Sequence, residues 1–193
     1  MKDFRLASNA ASTRDFAKFP HLFRQRARQN TDFLCIPSVV SETRKYFTAQ
    51  RLSSDVIASN LVFQTPDETG LQFALISSSM FITWQKTIGG RLKSDLRFAS
   101  TLTWYTFPVP ELSDKQRDSI IKAVQKVLDT RELHPERFLA DHYNWLAMDP
   151  VLMKAHDVLD REVDKAFGAP RKLTSERQRQ ELLFENYAYL TRE

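Results

Sequence analysis

At 193 residues, 42% of them hydrophobic and 27% charged, the chain suits one domain or two small ones with a real core; disordered and fibrous classes are excluded. A single cysteine, Cys35, excludes an internal disulfide, and its apolar neighbours Phe33, Leu34 and Ile36 predict a buried, inert thiol in a reducing, cytoplasmic setting. The charged N-terminus lacks a signal-peptide core, and the longest apolar stretch, Leu71 to Trp84, is interrupted by Gln72, three serines and Thr83, so no membrane partner is expected.

The net charge is +4. Residues 1–112 hold 14 basic and 9 acidic side chains, residues 113–193 hold 14 and 15. The first part is therefore the candidate polyanion-binding half, and the second reads as neutral and structural.

In chain order, residues 1–31 are basic and polar, with Ser12-Thr13 as a cap for a short helix that Phe19-Pro20 stops. Arg24, Arg26 and Arg28 alternate, either lining up cations along the backbone or forming a frayed end. Three strand-like runs follow, Thr31 to Val40, Thr43 to Leu52 and Val56 to Gln64, in which Tyr46 and Phe47 point one outward and one inward. Pro66 to Gly70 is turn chemistry. Leu71 to Ile88 has helical spacing and stops at Gly89-Gly90, whose φ freedom swings the chain into the next segment.

That segment runs from Gly90 to Ser100 and carries Arg91, Lys93, Asp95 and Arg97. On an extended strand, Lys93 and Asp95 project from one face. A donor beside an acceptor matches the two edges of one G·C pair, Lys to guanine and Asp to the cytosine amino group. The same residues also fit a solvated surface strand with an internal ion pair. Thr101 to Phe107 is rich in β-formers, and Pro108 and Pro110 mark a boundary. Three helices follow: one capped by Ser113 with a stripe of Ile120, Ile121, Val124, Val127 and Leu128, one opened by Asp149-Pro150 and ended by Gly168, and one capped by Ser175.

No catalytic centre is legible. His21, His134, His142 and His156 lack metal-ligand spacing, and there is no Gly-rich phosphate loop. Asp157, Asp160, Glu162 and Asp164, interleaved with Arg161 and Lys165, predict a solvated face with i,i+4 pairs. Trp84, Trp104 and Trp145 are expected in the core.

Several segments carry a resemblance. Ile36-Pro37 through Ser41-Glu42-Thr43-Arg44-Lys45-Tyr46, then Asp55 to Asn60, Ser78-Ser79-Met80, Gly90 to Arg97 and Phe107-Pro108-x-Pro110-Glu111 resemble the C-terminal part of MmeI-like enzymes. So do Ala155-His156-x-x-Leu159-Asp160, Val163-Asp164-x-Ala166-Phe167-Gly168 and Leu182-Leu183-Phe184. These enzymes are large single-chain DNA adenine methyltransferases, many also restriction endonucleases.

The resemblance implies a target-recognition domain over residues 1–112, then a helical subdomain over 113–193, together an α+β fold with a small mixed sheet. It implies double-stranded DNA as partner and S-adenosylmethionine as cofactor of a methyltransferase domain outside this fragment. The Asn-Pro-Pro-aromatic signature is missing here, so no catalytic residue is expected within the fragment. Lys93 and Asp95 match positions that act together on one base pair, implying guanine on the strand read. Asn60 matches a second base-reading position with a partner near Ser38. Arg44, Lys45, Arg91 and Arg97 are charged positions within the motifs, and their charge suggests phosphate contacts. Thr43, where a basic residue is common, and Trp104-Tyr105-Thr106, in place of Tyr-Asn-Asn, depart from the pattern. Apart from the resemblance, a protein-interaction module meeting an acidic partner with the basic half is the alternative.

Overall fold

The computed structural model describes residues 1–22 and 29–192, and the chain packs as two units, Met1–Asn30 and Thr31–Glu193. The first contains α1 (Lys2–Leu6), α2 (Ala11–Asp15) and a 3-10 turn at Phe16–Lys18. Ser12 and Thr13 lie inside the first turn of α2 rather than at its cap. Arg5 ties the unit together by donating to the carbonyls of Phe16, Phe19 and Leu22 at 3.0, 2.6 and 2.6 Å. Arg24, Arg26 and Arg28 lie outside the described residues.

The second unit begins with two three-stranded antiparallel sheets. In one, β1 (Phe33–Pro37) is flanked by β3 (Gln50–Leu52) and β4 (Val62–Pro66). In the other, β6 (Asp95–Arg97) lies between β2 (Val39–Val40) and β5 (Gly90–Leu92). The chain crosses between sheets at Ser38, whose N–H donates to the Leu61 carbonyl (3.2 Å) and whose carbonyl accepts from Phe98 (2.9 Å).

The strands are shorter than the apolar runs that predict them. Tyr46 and Phe47 are both buried, because they lie in a loop ahead of β3 and are freed from strand alternation. Val56 and Ile57 are exposed in a loop ahead of β4. Cys35 is only half-buried in β1, and burial raises its thiol pKa.

The predicted helix from Leu71 to Ile88 is two helices, α3 (Leu71–Ile76) and α4 (Ser79–Ile88). Asp67 caps the first, accepting from the amides of Gln72 (3.1 Å) and Phe73 (3.0 Å). Ser78 caps the second, accepting from the Phe81 amide at 3.3 Å. The apolar spacing runs on across the break, and only the serine hydroxyls divide it.

Gly89 adopts φ −70°, ψ 153°, so φ freedom is not what it supplies. A Cβ there would meet Gln85 Nε2 at 2.0 Å and the Gln85 carbonyl at 2.3 Å; close approach is what requires glycine. Ser100–Trp104 is a π-helical turn rather than a strand. Thr103 and Thr106 bond back to the carbonyls of Ala99 and Leu102, letting β-formers close a turn.

The remaining helices are α5 (Asp114–Arg131), a short α6 (Leu139–His142), α7 (Pro150–Ala166) and α8 (Glu176–Leu190). Ser113 and Gln116 form a capping box on α5. Asp149 accepts from the Val151 amide at 2.7 Å, and Ser175 from that of Gln178 at 3.3 Å. Ile120, Val124 and Val127 of α5 join Leu152, Leu159 and Val163 of α7 in one core with Phe47, Phe73, Phe81, Trp84 and Phe98. The helices thus brace the sheets through continuous apolar packing, each large side chain contributing roughly 1.5–3 kcal/mol.

Two expectations fail here. Trp84 is buried and Trp104 lies against the core, but Trp145 is 55% exposed. The acidic stretch of α7 is not a solvated face: Asp157 is exposed, whereas Asp160 and Asp164 are buried and bonded to Ser79 and Arg179. Four acids in eight residues look alike in sequence, and their helical phase against α4 and α8 separates them.

Candidate nucleic-acid interface

The segment after the double glycine is a β-hairpin. Its register pairs Gly90 with Arg97, Arg91 with Leu96 and Leu92 with Asp95, leaving Lys93-Ser94 as a two-residue turn. The predicted strand running through Lys93 is therefore replaced by a turn. Lys93 has φ 57°, the only positive φ of a non-glycine among the described residues. A positive φ at the first central position is the glycine site of a type II′ turn, so a lysine held there is strained.

Lys93 stands exposed at the tip, with no hydrogen bond or ion pair among the described residues. Asp95 begins β6, half-buried, two residues on. Strand alternation puts Asp95 and Arg97 on one face and Leu96, fully buried, on the other. Leu96 nails the hairpin to the core, and Gln85 of α4 donates Nε2–H to the Arg97 carbonyl at 3.0 Å.

The predicted charged residues divide into two groups. Arg97 is exposed and unpaired among the described residues, so it does not lock the strand to a core acid. The other three have partners. Arg91 donates to the Ser94 carbonyl (2.7 Å) across the turn and lies 3.4 Å from Glu42. Arg44 donates to the Ala140 carbonyl (3.0 Å) at α6. The Lys45 ammonium sits 4.4 Å above the Trp145 ring, a cation–π contact. These partners leave further N–H donors on each cation.

Ser38 and Asn60 fall together at the sheet junction. The Ser38 amide bonds the residue after Asn60, and Val39 pairs with Arg97. Asn60 is exposed. Ser38 thus bonds the chain neighbours of Asn60 and Arg97, and Asp95 and Lys93 follow along the same hairpin. The Glu42 amide points at Asp95 Oδ1 from 3.4 Å, tying the loop after β2 to the hairpin.

The core also holds a buried polar network that sequence reasoning missed. Tyr46 stacks on His156 with centroids 3.8 Å apart. His156 Nε2 lies 2.8 Å from the Tyr143 hydroxyl, which accepts from Arg131, while Arg131 also donates to the Ala49 carbonyl at 3.1 Å. Because Arg131 supplies donors, the Tyr143 proton goes to Nε2, assigning His156 as the Nδ1–H tautomer. That nitrogen faces the Ser77 backbone without a hydrogen bond of normal geometry. Burial and then Arg131 hold His156 well below its usual pKa, so it is neutral. The sequence signals were Tyr46 directly after Arg44-Lys45 and His156 within Ala155-His156-x-x-Leu159-Asp160.

Comparison with known proteins defines the class as target-recognition modules. Residues 1–111 match the family model described as MmeI, target recognition domain, and residues 112–193 that described as MmeI, C-terminal domain. The chain belongs to the MmeI family. It is 34% identical over 190 residues to DNA methyltransferase A of Bacillus subtilis (strain 168), spanning 98% of this chain and 21% of that relative. It is similar to the solved Type IIL restriction-modification enzyme MmeI in complex with DNA, with TM-score 0.87 and 35% identity over 98% of this chain and 25% of that one. The chain therefore spans about a fifth of the curated relative's length. Among the described residues, no helix is long and apolar enough to cross a membrane.

Proposed function

We propose that this chain reads a short duplex DNA sequence on behalf of a larger DNA methyltransferase or restriction-modification enzyme. Lys93 donates to a guanine edge and Asp95 accepts from the paired cytosine N4 amino group in the major groove. Asn60 and Ser38 read a second position. Arg97 and Lys45, with the remaining donors of Arg44 and Arg91, meet backbone phosphates. Residues 1–112 recognise; residues 113–193 brace the recognition surface and dock it against the methyltransferase domain of the parent chain. That domain binds S-adenosylmethionine and acts on a flipped adenine while this module keeps the duplex in register.

The observation that carries the reading is the hairpin tip: an unpaired, strained Lys93 beside Asp95 on a turn anchored by a fully buried leucine. A solvated ornament needs neither strain nor anchoring. Competition between a labelled duplex and duplexes changed at single positions tests it. One base pair should respond to Lys93 and Asp95, by on the order of 1–3 kcal/mol. Equal competition by every duplex overturns the reading.

A further inference from the structure

Although residues 113–193 are neutral as a whole, their charges are not evenly spread. At the C-terminal end of α7 and the loop leading to α8, a notch of about 290 Å3 is walled by Arg161, Lys165, Arg171 and Lys172, with Asp164 at its floor. All four cations are exposed, and none has an ion pair among the described residues. Asp164 does not neutralise them. It is 3% exposed and held by Arg179 through two bonds of 2.9 and 2.7 Å. The field in the notch is therefore positive.

Stability does not account for this grouping. Arg161 and Lys165 are i,i+4 like charges on one helix face, which is mildly destabilising. The helix dipole favours Lys165 in the last turn and Asp157 stands four residues before Arg161 on the same helix, yet neither accounts for Arg171 and Lys172. The notch is also shaped: Gly168 at φ 100° turns the chain back, and Pro170 stiffens the loop.

The notch opens into a larger cleft of about 710 Å3, with Arg161 and Lys172 in both walls and Arg44 and Lys45 on the opposite side. Glu42, at the cleft's other end, contacts Arg91 and Asp95 of the hairpin. One continuous surface thus runs from the reading hairpin to the notch. Asp157 and Asp160 oppose the field within the cleft, Asp160 being bonded only to the neutral Ser79, while Glu176 there is paired with Lys86.

We infer that this notch is a second DNA site, holding backbone phosphates of the duplex that flanks the bases read by the hairpin. The inference rests on the proposed DNA reading and deepens it. The helical subdomain then grips DNA directly, adding affinity without sequence preference.

The test uses the full chain with two folded variants, Arg171→Gln/Lys172→Gln in the loop and Arg161→Gln/Lys165→Gln on the helix. Two duplexes are compared, one limited to the recognised site and one extended on both sides. For the extended duplex, the slope of log affinity against log salt should fall by about 0.9 for each phosphate contact removed. The short duplex should change less, and preference between base sequences should not change. Identical salt slopes for wild type and both variants, with melting curves showing intact folds, overturn the inference. If wild type discriminates between sequences while the slopes coincide, only the notch fails. If the slopes differ but no duplex is preferred, the notch stands and the base-reading proposal fails. Absence of any duplex binding by wild type overturns both. Binding of polyglutamate that the variants lose, with duplex binding retained, assigns the notch to an acidic protein surface and also overturns it.

Discussion

Asp160 of α7 grips the first residue of α4: its Oδ1 accepts from the Ser79 amide at 2.7 Å, and Oδ2 from the Ser79 hydroxyl. This contact joins the bracing helices to the helix that carries Gln85 and anchors the hairpin. Burial raises the Asp160 carboxyl to about 6 from an ordinary 3.8, against the opposing pull of Ser79 and Arg179. Between these values the folded protein holds a proton that the unfolded chain releases. The contribution of Asp160 to stability is therefore greatest below about pH 4 and falls as pH rises through 6, by on the order of 2–3 kcal/mol. Urea unfolding across this range should show the slope in wild type and its loss in Asp160→Asn. A difference between the two proteins that does not vary with pH would contradict the account.

The Tyr143 hydroxyl joins a buried guanidinium to a buried imidazole. Tyr143→Phe leaves Arg131 donors and His156 Nε2 without partners and should cost about 3 kcal/mol. The depressed pKa of His156 gives the opposite pH sign from Asp160. Below about pH 6.5 the unfolded chain takes up a proton that the folded one refuses, so this stability is lost as pH falls. Histidine NMR should show no titration of His156 above the onset of acid unfolding; a normal titration curve would contradict the buried, neutral imidazole.

Gly89 touches the side chain that positions the hairpin. A methyl group there collides with the backbone and amide of Gln85. Gly89→Ala should destabilise by about 1–3 kcal/mol and release the Gln85 bond to Arg97. Thermal melting measures the first effect, and hydrogen exchange at Asp95 to Arg97 the second. Wild-type exchange in a destabilised variant would separate the glycine from the hairpin.

Lys93 permits fold and recognition to be varied apart. Glycine adopts positive φ without the roughly 1–2 kcal/mol steric cost borne by an L-residue, so Lys93→Gly should keep or slightly raise the melting temperature while removing the proposed groove donor. A marked loss of stability would mean that the lysine holds the turn together and is not reserved for a ligand.

Sequence reading reached the bracing helices because their signals are local. Ser113 with Gln116, Asp149 with Pro150, and Ser175 each act within a few residues. It missed what depends on distant partners. The division at Ser78 leaves the apolar stripe intact. Tyr46 and Phe47 both turn inward because the helices behind them supply partners for two rings. Asp160 and Asp164 differ from Asp157 only in facing Ser79 and Arg179. In the candidate site, the residue types at Lys93, Asp95 and Arg97 were legible, but their geometry was not. No glycine, asparagine or aspartate marks the turn at Lys93-Ser94, and the strained lysine hides it.

The pairing of Lys93 with Asp95 is the centre of the account, and exchanging both together tests it most directly. Specificity profiling of wild type and a Lys93→Glu/Asp95→Arg variant against duplexes randomised at each position should show altered preference at one base pair and no change elsewhere. Affinity that drops equally for all sequences would contradict it, making these two side chains backbone contacts or structural groups.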